Sequence, residues 1–293
     1  MTAGLTNVAP RFQAMQKRRC FKKLLVLVIL HLLSRSSFAA SNPFDDASAA
    51  YERGDYVLAM KLFRQLAENG HPWAQRRVGS MYEAGKGVPQ DYQEAVKWYR
   101  LAAAQGNTPA QYSLGMAYEK GQGVAQDYQE AVKWYRIAAS REDEWAQTRL
   151  GSIYAEGQGV PQDFQEAVKW YRLAAAQGYA PAESSLGVAY EKGQGVPQDY
   201  QEAVKWYRFA AAQGNQSAQI NLGVMYTNGT GVRRDFVRAY MWFALAAAAL
   251  SSDSGDAATK NRDGIASKMT AEQIASGQEM ARRCQESKLK NCD

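Results

Sequence analysis

Small and apolar side chains recur along the middle of the chain at spacings of three and four residues, the spacing of one helix face. In the stretch AQYSLGMAYEKG, Ala110, Leu114, Ala117 and Tyr118 form such a face. The stretch ends at a glycine, which closes helices by taking the left-handed conformation. The pattern predicts a helix that packs through this face.

A second helix is predicted after a loop of the type GQGVPQ. Its start is marked by an aspartate such as Asp91, whose carboxylate can accept hydrogen bonds from first-turn amides, and Glu94 follows in capping-box spacing. Farther along, Trp98 and Tyr99 stand among small residues such as Ala102. Small residues let neighbouring helices approach, so we interpret the aromatic pairs as core residues that fill the remaining space.

The pair of helices recurs with a period of 36 residues. Each copy carries an aspartate followed by an aromatic residue, at Asp55, Asp91, Asp127, Asp163, Asp199 and Asp235. Five full units and a shorter opening one are present. Because no unit can bury its apolar face alone, we expect the units to stack into an all-α superhelix with an extended concave surface.

The residues shared by the copies point to a known repeat. In the first full copy they are Gly79, Tyr82, Gly85, Gly87, Val88, Asp91, Ala95, Trp98, Tyr99, Ala102, Ala103 and Gly106. With these residues the unit resembles the Sel1-like repeat, an α/α relative of the tetratricopeptide repeat, over about residues 49–250. The resemblance implies a right-handed α/α superhelical solenoid that mediates protein–protein interaction, as in adaptor proteins and many exported bacterial proteins.

The start of the chain differs from the rest in charge. The first 40 residues hold seven of the 35 Lys and Arg residues and none of the 29 Asp and Glu residues, so the remainder has a net charge of −1. The basic cluster KRRCFKK precedes a largely apolar run of ten residues, Leu24 to Leu33, and then small residues. This order is typical of an export signal, and the run is about half of the roughly 20 residues that span a bilayer.

We therefore expect residues 1–40 to form a signal peptide, with synthesis starting at Met1 or Met15 and cleavage after Ala39 or Ser41. An uncleaved anchor is the alternative. The product is expected to be periplasmic or secreted, without stable membrane insertion after cleavage. Because the basic charge belongs to the leader, no nucleic-acid partner is expected.

The rest of the chain is expected to divide into a solenoid over residues 41–250 and a C-terminal cap over residues 251–293. A polar run, SSDSGDAATKN, opens the cap. Thr270 and Gln273 then stand in capping-box spacing. They predict a closing helix that docks on the last pair.

Two cysteines remain after the leader, Cys284 and Cys292, near the end of an exported chain. This placement favours a disulfide, and two free thiols are the alternative. Eight residues of continuous helix would hold the two Cα atoms about 12 Å apart, beyond the roughly 7 Å that a bridge tolerates. A bridge therefore requires the helix to end before Cys292.

Positions that differ between copies are candidates for a binding surface. On the first helix of each unit they fall at spacings of four and three, which places them on one helix face, here called the variable stripe. The candidates for partner binding are Arg76, Ser80, Glu83, Tyr112, Met116, Glu119, Thr148, Ser152, Ser184 and Glu191. If the first helices line the concave side, as in tetratricopeptide solenoids, the stripe is a groove suited to a peptide or a folded partner. The alternative is a solvent-facing surface that drifted after duplication.

Two places depart from the repeat. The junction SREDEW has Glu142 where a glycine is expected and places Arg141 beside three acidic residues. It either changes the turn between units or is a neutral charged loop. The last full unit has Arg233 in place of the proline.

The sequence carries no signature of an enzyme, a metal site or a cofactor site. After the leader the one histidine is His71, in a predicted turn, and no His-Glu-x-x-His, Cys-His or Gly-x-Ser-x-Gly arrangement is present. The glycine loops lead into helices capped by aspartate, which occupies the amides that would bind phosphate. We expect no catalytic, metal-binding or cofactor-binding residues and no enzyme activity.

Two functions fit these observations. The first is an exported scaffold or adaptor that binds one or more protein partners through the concave face. The second is peptidoglycan- or β-lactam-directed binding or weak hydrolysis, by analogy with exported relatives that carry a disulfide in each repeat. This chain has no cysteine inside its repeats, so the chemistry of those relatives is not expected to transfer.

Overall fold

The computed structural model of the protein describes residues 42–248, 253–289 and 292, without the side chains of 253–256. The expected signal peptide, its start and its cleavage sites lie outside the described residues. Within the described ranges the chain forms fourteen helices and no strand. They are α1 Pro43–Glu52, α2 Tyr56–Glu68, α3 Pro72–Ala84, α4 Tyr92–Ala104, α5 Thr108–Lys120, α6 Tyr128–Ala139, α7 Glu144–Glu156, α8 Phe164–Ala176, α9 Ala180–Lys192, α10 Tyr200–Ala212, α11 Gln216–Asn228, α12 Phe236–Ala248, α13 Asp253–Ala266 and α14 Ala271–Glu286.

From α1 to α13, consecutive helices pack on one another along the chain. The pairs α3/α4, α5/α6, α7/α8, α9/α10 and α11/α12 correspond to the five full units, and α1/α2 to the opening one. Each first helix also packs on the second helix of the preceding unit. The predicted all-α solenoid is confirmed. None of the helices that the structure describes combines the length and the apolar character needed to cross a bilayer.

The core is divided among the interfaces between helices, where a tyrosine of the second helix, or Phe243 in the last full unit, lies against a glycine of the first. A Cβ atom added at Gly115 would stand 2.5 Å from Cε1 of Tyr135, closer than real Cβ contacts come. Tyr135 is fully buried. The expected core role of the tyrosines is confirmed, whereas the adjacent Trp134 is half-buried against the preceding unit.

Each second helix begins at its aspartate, as predicted. Asp163 accepts a hydrogen bond from the Glu166 amide at 2.9 Å, and its own amide donates to the carbonyl oxygen of Tyr154 near the end of α7. The capping-box spacing predicts that the Glu166 carboxylate accepts a hydrogen bond from the Asp163 amide, and this prediction is wrong. Because the Asp163 amide is already paired, the Glu166 carboxylate lies instead 2.8 Å from Nζ of the exposed Lys169.

The glycine-rich loops join neighbouring units. In the loop after α5, Gly123 has a φ of 76°, which favours glycine. A Cβ atom there would also overlap the carbonyl oxygen of Tyr92 at the start of α4. The second glycine of the loop is therefore required both by its backbone conformation and by close contact with the preceding unit.

The junction SREDEW keeps the backbone conformation of the other turns without their glycine. Glu142 has a φ of 63°, and Gly106 and Gly178 at the equivalent turns have 81° and 77°. The Arg141 guanidinium donates to the Gly106 carbonyl oxygen of the preceding turn. The turn between units is thus unchanged, and Glu142 takes a conformation that costs a non-glycine residue about 1–2 kcal/mol.

Two helices close the C-terminal end, whereas the sequence predicts one. The additional helix, α13, starts within the polar run, and both α13 and α14 pack on α12. The sequence did not predict α13 because its composition is polar. Few of its side chains are buried, among them Ala258 and Ile265. Helix α14 begins with the predicted capping box between Thr270 and Gln273.

A disulfide joins Cys284 and Cys292, whose Cα atoms lie 4.7 Å apart. Helix α14 ends at Glu286, and Lys288 and Leu289 take left-handed backbone conformations. The chain therefore leaves the helix before Cys292, as the spacing of the two cysteines requires.

A glutamine of the first helix links three helices by hydrogen bonds. Gln147 Nε2 donates to the Ala139 carbonyl oxygen of α6 at 3.2 Å, and Gln147 Oε1 accepts from Gln177 Nε2 beyond α8 at 2.9 Å. Glu183 occupies the equivalent position in α9 and accepts from Gln213 Nε2 at 2.8 Å. Its carboxylate has no hydrogen to donate to a carbonyl oxygen, and burial raises the pKa of Glu183.

We expect Glu183→Gln to raise the free energy of unfolding at neutral pH by about 1–2 kcal/mol, because the amide supplies the donor that other units use. A carboxyl group whose pKa is raised by folding stabilises the protein below its unfolded pKa, and this contribution is lost as pH rises through the folded pKa. The advantage of the variant should therefore shrink as pH falls toward the ordinary value of 4.5. Urea unfolding followed by circular dichroism at several pH values measures it.

The reciprocal variant Gln147→Glu is the matched control. It places a carboxylate at the same position two helices earlier and should lower stability at neutral pH but not in acid. A gain from Glu183→Gln that stayed constant over the whole pH range would contradict the assignment of the cost to the ionised carboxylate.

Candidate interaction groove

The variable stripe lies on α3, α5, α7 and α9, and none of its ten residues is fully exposed. Eight are half-buried, whereas Glu119 and Ser184 are buried. This packing restricts which of the side chains a partner can reach. The neighbours of each side chain therefore decide its role.

The three glutamates of the stripe hold the core tyrosines of the following helix. Glu83 accepts from the Tyr99 hydroxyl at 2.5 Å, and Glu119 accepts from the Tyr135 hydroxyl at 2.6 Å. Glu191 accepts in the same way from the Tyr207 hydroxyl at 2.5 Å. Burial raises the pKa of the Tyr135 phenol, which keeps it protonated as a donor. These carboxylates are thus part of the packing between the two helices of a unit.

Glu119 also links two units. The Arg149 guanidinium of α7 donates to both oxygens of the Glu119 carboxylate on α5. The Glu119 side chain is 10% exposed and that of Arg149 is 39% exposed. The ion pair therefore fixes the spacing of α5 and α7 at the middle of the stripe.

Three of the four small hydroxyl residues of the stripe donate hydrogen bonds to their own helices. Ser80 Oγ donates to the Arg77 carbonyl oxygen at 2.8 Å, and Thr148 Oγ1 donates to the Glu144 carbonyl oxygen at 2.8 Å. Ser152 Oγ donates in turn to the Thr148 carbonyl oxygen at 3.2 Å. These hydroxyls are already committed as donors.

Four residues of the stripe converge on one groove of about 520 Å³ that crosses α3, α5 and the start of α7. We call it the interaction groove. Its lining consists of Arg76, Glu83, Pro109, Tyr112, Ser113, Met116, Asp143, Glu144 and Trp145. The other six residues of the stripe do not line it: Ser80 on α3, Glu119 on α5, and the four on α7 and α9.

An aromatic cluster borders the interaction groove. The Tyr112 ring lies 6.3 Å from the Trp145 ring, centroid to centroid, and the Trp145 ring lies 5.2 Å from that of Tyr179. Trp145 is 52% exposed. The cluster therefore presents a half-exposed indole whose orientation is fixed by a ring on either side.

Sequence reasoning missed Trp145 and Tyr179, although the period contains a signal for the second. Tyr179 stands at the N-cap position of α9, where it makes no side-chain cap bond. At the same position Asn107 and Asp143 cap their helices. A lost cap costs about 1 kcal/mol. At Tyr179 an aromatic contact with Trp145 replaces the cap bond.

Charges of opposite sign come from the two outer helices of the interaction groove. Arg76 on α3 has a pKa lowered by burial, and its Nε is buried without a hydrogen-bond partner. Asp143 before α7 has a pKa raised by burial while it caps Ala146, and Glu144 adjoins it. In the part of the chain that the structure describes, no three His, Cys, Asp or Glu side chains are grouped so as to hold a metal ion. The arrangement suits recognition of an extended chain with a defined direction.

Comparisons with known proteins agree with the solenoid fold. A family model described as Sel1 repeat matches residues 48–71, 74–107, 108–143, 146–179, 180–215 and 216–249. Among solved structures, a Sel1 repeat protein from Oxalobacter formigenes is 34% identical with a TM-score of 0.70, over 77% of this chain and 88% of that chain.

Two further solved structures are more distant. A Sel1 repeat protein from Klebsiella pneumoniae is 22% identical with a TM-score of 0.46, over 71% of this chain and 99% of that chain. A protective antigen present in uropathogenic Escherichia coli strains, with an SLR fold, is 24% identical with a TM-score of 0.40, over 85% of each chain. A comparison with curated proteins finds no match.

Proposed function

Since the chain belongs to the Sel1 repeat family, whose members generally serve as scaffolds for protein interaction, we propose that it is an exported scaffold that binds a protein partner in the interaction groove. The observation that carries the proposal is the half-exposed Trp145 ring, held between Tyr112 and Tyr179 beside the groove. Solenoids of this kind are typically non-catalytic.

The aromatic cluster has the properties of an interaction hot spot. Tryptophan and tyrosine are enriched among the residues that contribute most to protein–protein affinity. Side chains that are already fixed lose little conformational entropy on binding. Trp145 is fixed by its neighbours, and Met116 adds an adaptable apolar side chain to the lining of the groove.

The charges of the groove define the kind of segment that fits. Asp143 and Glu144 favour a basic residue of the partner, and Arg76 favours an acidic one. The apolar surface between them favours an apolar or aromatic side chain. We infer an extended peptide segment, or an exposed loop of a folded partner, with this order of side chains.

The support for export comes from residues 1–40. The order of basic, apolar and small residues over residues 1–40 supports a cleaved signal. The near-neutral remainder of the chain supports a protein partner over nucleic acid, because polyanion binding needs an excess of Lys and Arg. The site of action is then the periplasm or the exterior of the cell.

The test is affinity capture with full-length protein expressed with its own leader. We expect the tagged protein to be recovered from the envelope or the medium, and to retain a stoichiometric protein partner from envelope extract. Trp145→Ala and the double variant Tyr112→Ala/Met116→Ala should each weaken capture at least about tenfold, since loss of a hot-spot side chain costs about 2 kcal/mol or more.

Trp73→Ala is the matched control. Trp73 occupies the same position two units earlier and is 51% exposed, but it does not line the groove. It should leave capture unchanged, and circular dichroism should show equal helicity in all variants. Equal capture by Trp145→Ala and the wild type would contradict the proposal, as would recovery of peptidoglycan or another glycan without any protein.

A further inference from the structure

The start of α12 differs in charge from the corresponding corner of every earlier full unit. In those units the four corner positions read Pro or Ala, Gln, Asp and Glu, with a net charge of −2. In the last full unit they are Arg233, Arg234, Asp235 and Arg238, with a net charge of +2. Elsewhere the unit loses charged residues, with Met241 and Ala244 in place of Lys205 and Arg208 of the preceding unit, so positive charge is gained only at this corner.

These arginines border a cavity of about 700 Å³ between α10, α11, α12 and α14, which we call the arginine pocket. Its lining consists of Arg208, Tyr226, Val232, Arg233, Arg234, Asp235, Phe236, Val237, Arg238 and Gln273. Four guanidinium groups thus face one carboxylate. Because residues 41–293 carry a net charge of −1, this concentration of positive charge is local and does not reflect a basic protein.

Aromatic rings and the single carboxylate position three of the four guanidinium groups. Arg208 donates to the Tyr226 hydroxyl at 2.7 Å, and the Arg238 guanidinium lies 5.7 Å from the centroid of the same ring. Arg234 lies 5.5 Å from the centroid of a second ring, that of Phe236. Guanidinium groups that are fixed in this way lose less entropy when they bind an anion.

The carboxylate in the pocket is already engaged. Asp235 accepts from the Arg238 amide at 3.0 Å as the cap of α12, and its second oxygen lies 3.9 Å from Arg238 Nε. It therefore offsets only part of the positive charge. The amino end of α12 adds a further positive potential at the same place.

We propose that the arginine pocket binds a small ligand that carries adjacent phosphate groups. Planar guanidinium groups match the oxygens of a phosphate in pairs, and several of them around one cavity suit more than one phosphate. The volume is that of a small-molecule site, and Val232, Phe236 and Val237 give it apolar walls. The interaction groove lies on α3, α5 and α7, so this inference is independent of the proposed function.

Calorimetric titration of the full-length protein with inorganic pyrophosphate at low salt tests the proposal. We expect saturable binding of one pyrophosphate per chain, weaker binding of inorganic phosphate, and loss of affinity as salt rises. The variant Arg233→Pro/Arg234→Gln/Arg238→Glu installs the residues that other units carry at this corner, so the fold should persist. It should bind pyrophosphate at least about tenfold more weakly, because three charge-assisted contacts are removed.

Two controls complete the experiment. Lys205→Met removes a cation from the second helix of the preceding unit, where Lys205 pairs with Glu202 at 3.2 Å outside the pocket, and it should leave affinity unchanged. The single variant Arg233→Gln should weaken binding even if the triple variant were to unfold. Absence of saturable binding, or equal affinity in wild type and Arg233→Gln, would overturn the proposal.

The phosphate could belong to a soluble compound or to a lipid headgroup. Sedimentation with vesicles of phosphatidylglycerol and of phosphatidylcholine distinguishes the two sources. Binding of pyrophosphate with no retention by either vesicle supports a soluble ligand, and retention by phosphatidylglycerol that pyrophosphate competes away supports a headgroup in the same pocket. Vesicle retention that pyrophosphate does not affect would contradict the assignment of the binding site to this pocket.

Discussion

Tyr135→Ala is expected to lower the free energy of unfolding by about 3–5 kcal/mol, as deletion of a buried aromatic ring does. The ring is fully buried, lies against Gly115 of α5 and packs beside Tyr112 at a centroid distance of 5.6 Å. Its removal leaves a cavity between α5 and α6, and it also leaves Glu119 without the hydroxyl that it accepts from. Urea unfolding followed by circular dichroism measures the loss.

Tyr135→Phe separates the two contributions. It keeps the ring and removes only the hydroxyl that donates to Glu119 at 2.6 Å, so we expect a loss of about 1–2 kcal/mol. Tyr171→Phe is the matched control, because Ala155 stands where the glutamate would be and the hydroxyl lies 3.4 Å from Ser152 Oγ. Tyr171→Phe should lower the free energy of unfolding by less than Tyr135→Phe does. A loss of less than about 1 kcal/mol in Tyr135→Ala would contradict the core role of the ring.

Gly115→Ala is expected to lower the free energy of unfolding by about 1–3 kcal/mol, the usual cost of overpacking. Alanine favours a helix over glycine by about 1 kcal/mol, so a loss of stability reports the clash alone. The added Cβ atom would stand 2.5 Å from a carbon of the Tyr135 ring, which is held on its other side by the core. Thermal and urea unfolding measure the change.

Gly264→Ala provides the control. This glycine lies within α13, and a Cβ atom there would meet no atom within 4 Å, so we expect a gain of about 0.5–1 kcal/mol. In a Tyr135→Ala background, Gly115→Ala should also become neutral or favourable, because the clashing ring is gone. Equal effects of Gly115→Ala and Gly264→Ala would show that the ring gives way and that the contact is not tight.

The contacts of Tyr135 with Gly115 and Glu119 bear on function because they set the distance between α5 and α6. The shape of the interaction groove depends on the position of α5. Tyr112 and Met116 lie on the same helix as Gly115. The Glu119 and Arg149 pair then fixes that helix relative to the next unit. A change of helix spacing would therefore alter the groove without touching its lining.

Much of the fold could be predicted because each unit repeats the same short-range sequence signals. Asp163 and its equivalents start helices through bonds to amides a few residues away, and the spacing of Cys284 and Cys292 alone required the end of a helix. Such contacts join residues at most eight positions apart in the chain, where the sequence is sufficient. Helix α13 escaped prediction because its stability comes from packing on α12, and its own composition is polar.

The candidate site was predicted less completely. The variable stripe did contain the groove residues Arg76, Tyr112 and Met116. It also contained Glu119, which is bound to a tyrosine of the following helix and an arginine of the next unit. A position that varies between copies is therefore not always accessible, and burial by neighbouring units cannot be read from one unit.

The sequence by itself determined the repeat, its two helices, the caps that start them and the glycines that the close contacts require, because these depend on residues within one period. Only the tertiary structure decided which residues share a surface. Tyr112, Trp145 and Tyr179 come together across units, and Arg208 meets the arginines of α12 at one cavity. The physical reason is that a solenoid brings together side chains about 36 residues apart, and the stacking of its units, which no single unit encodes, sets their distances.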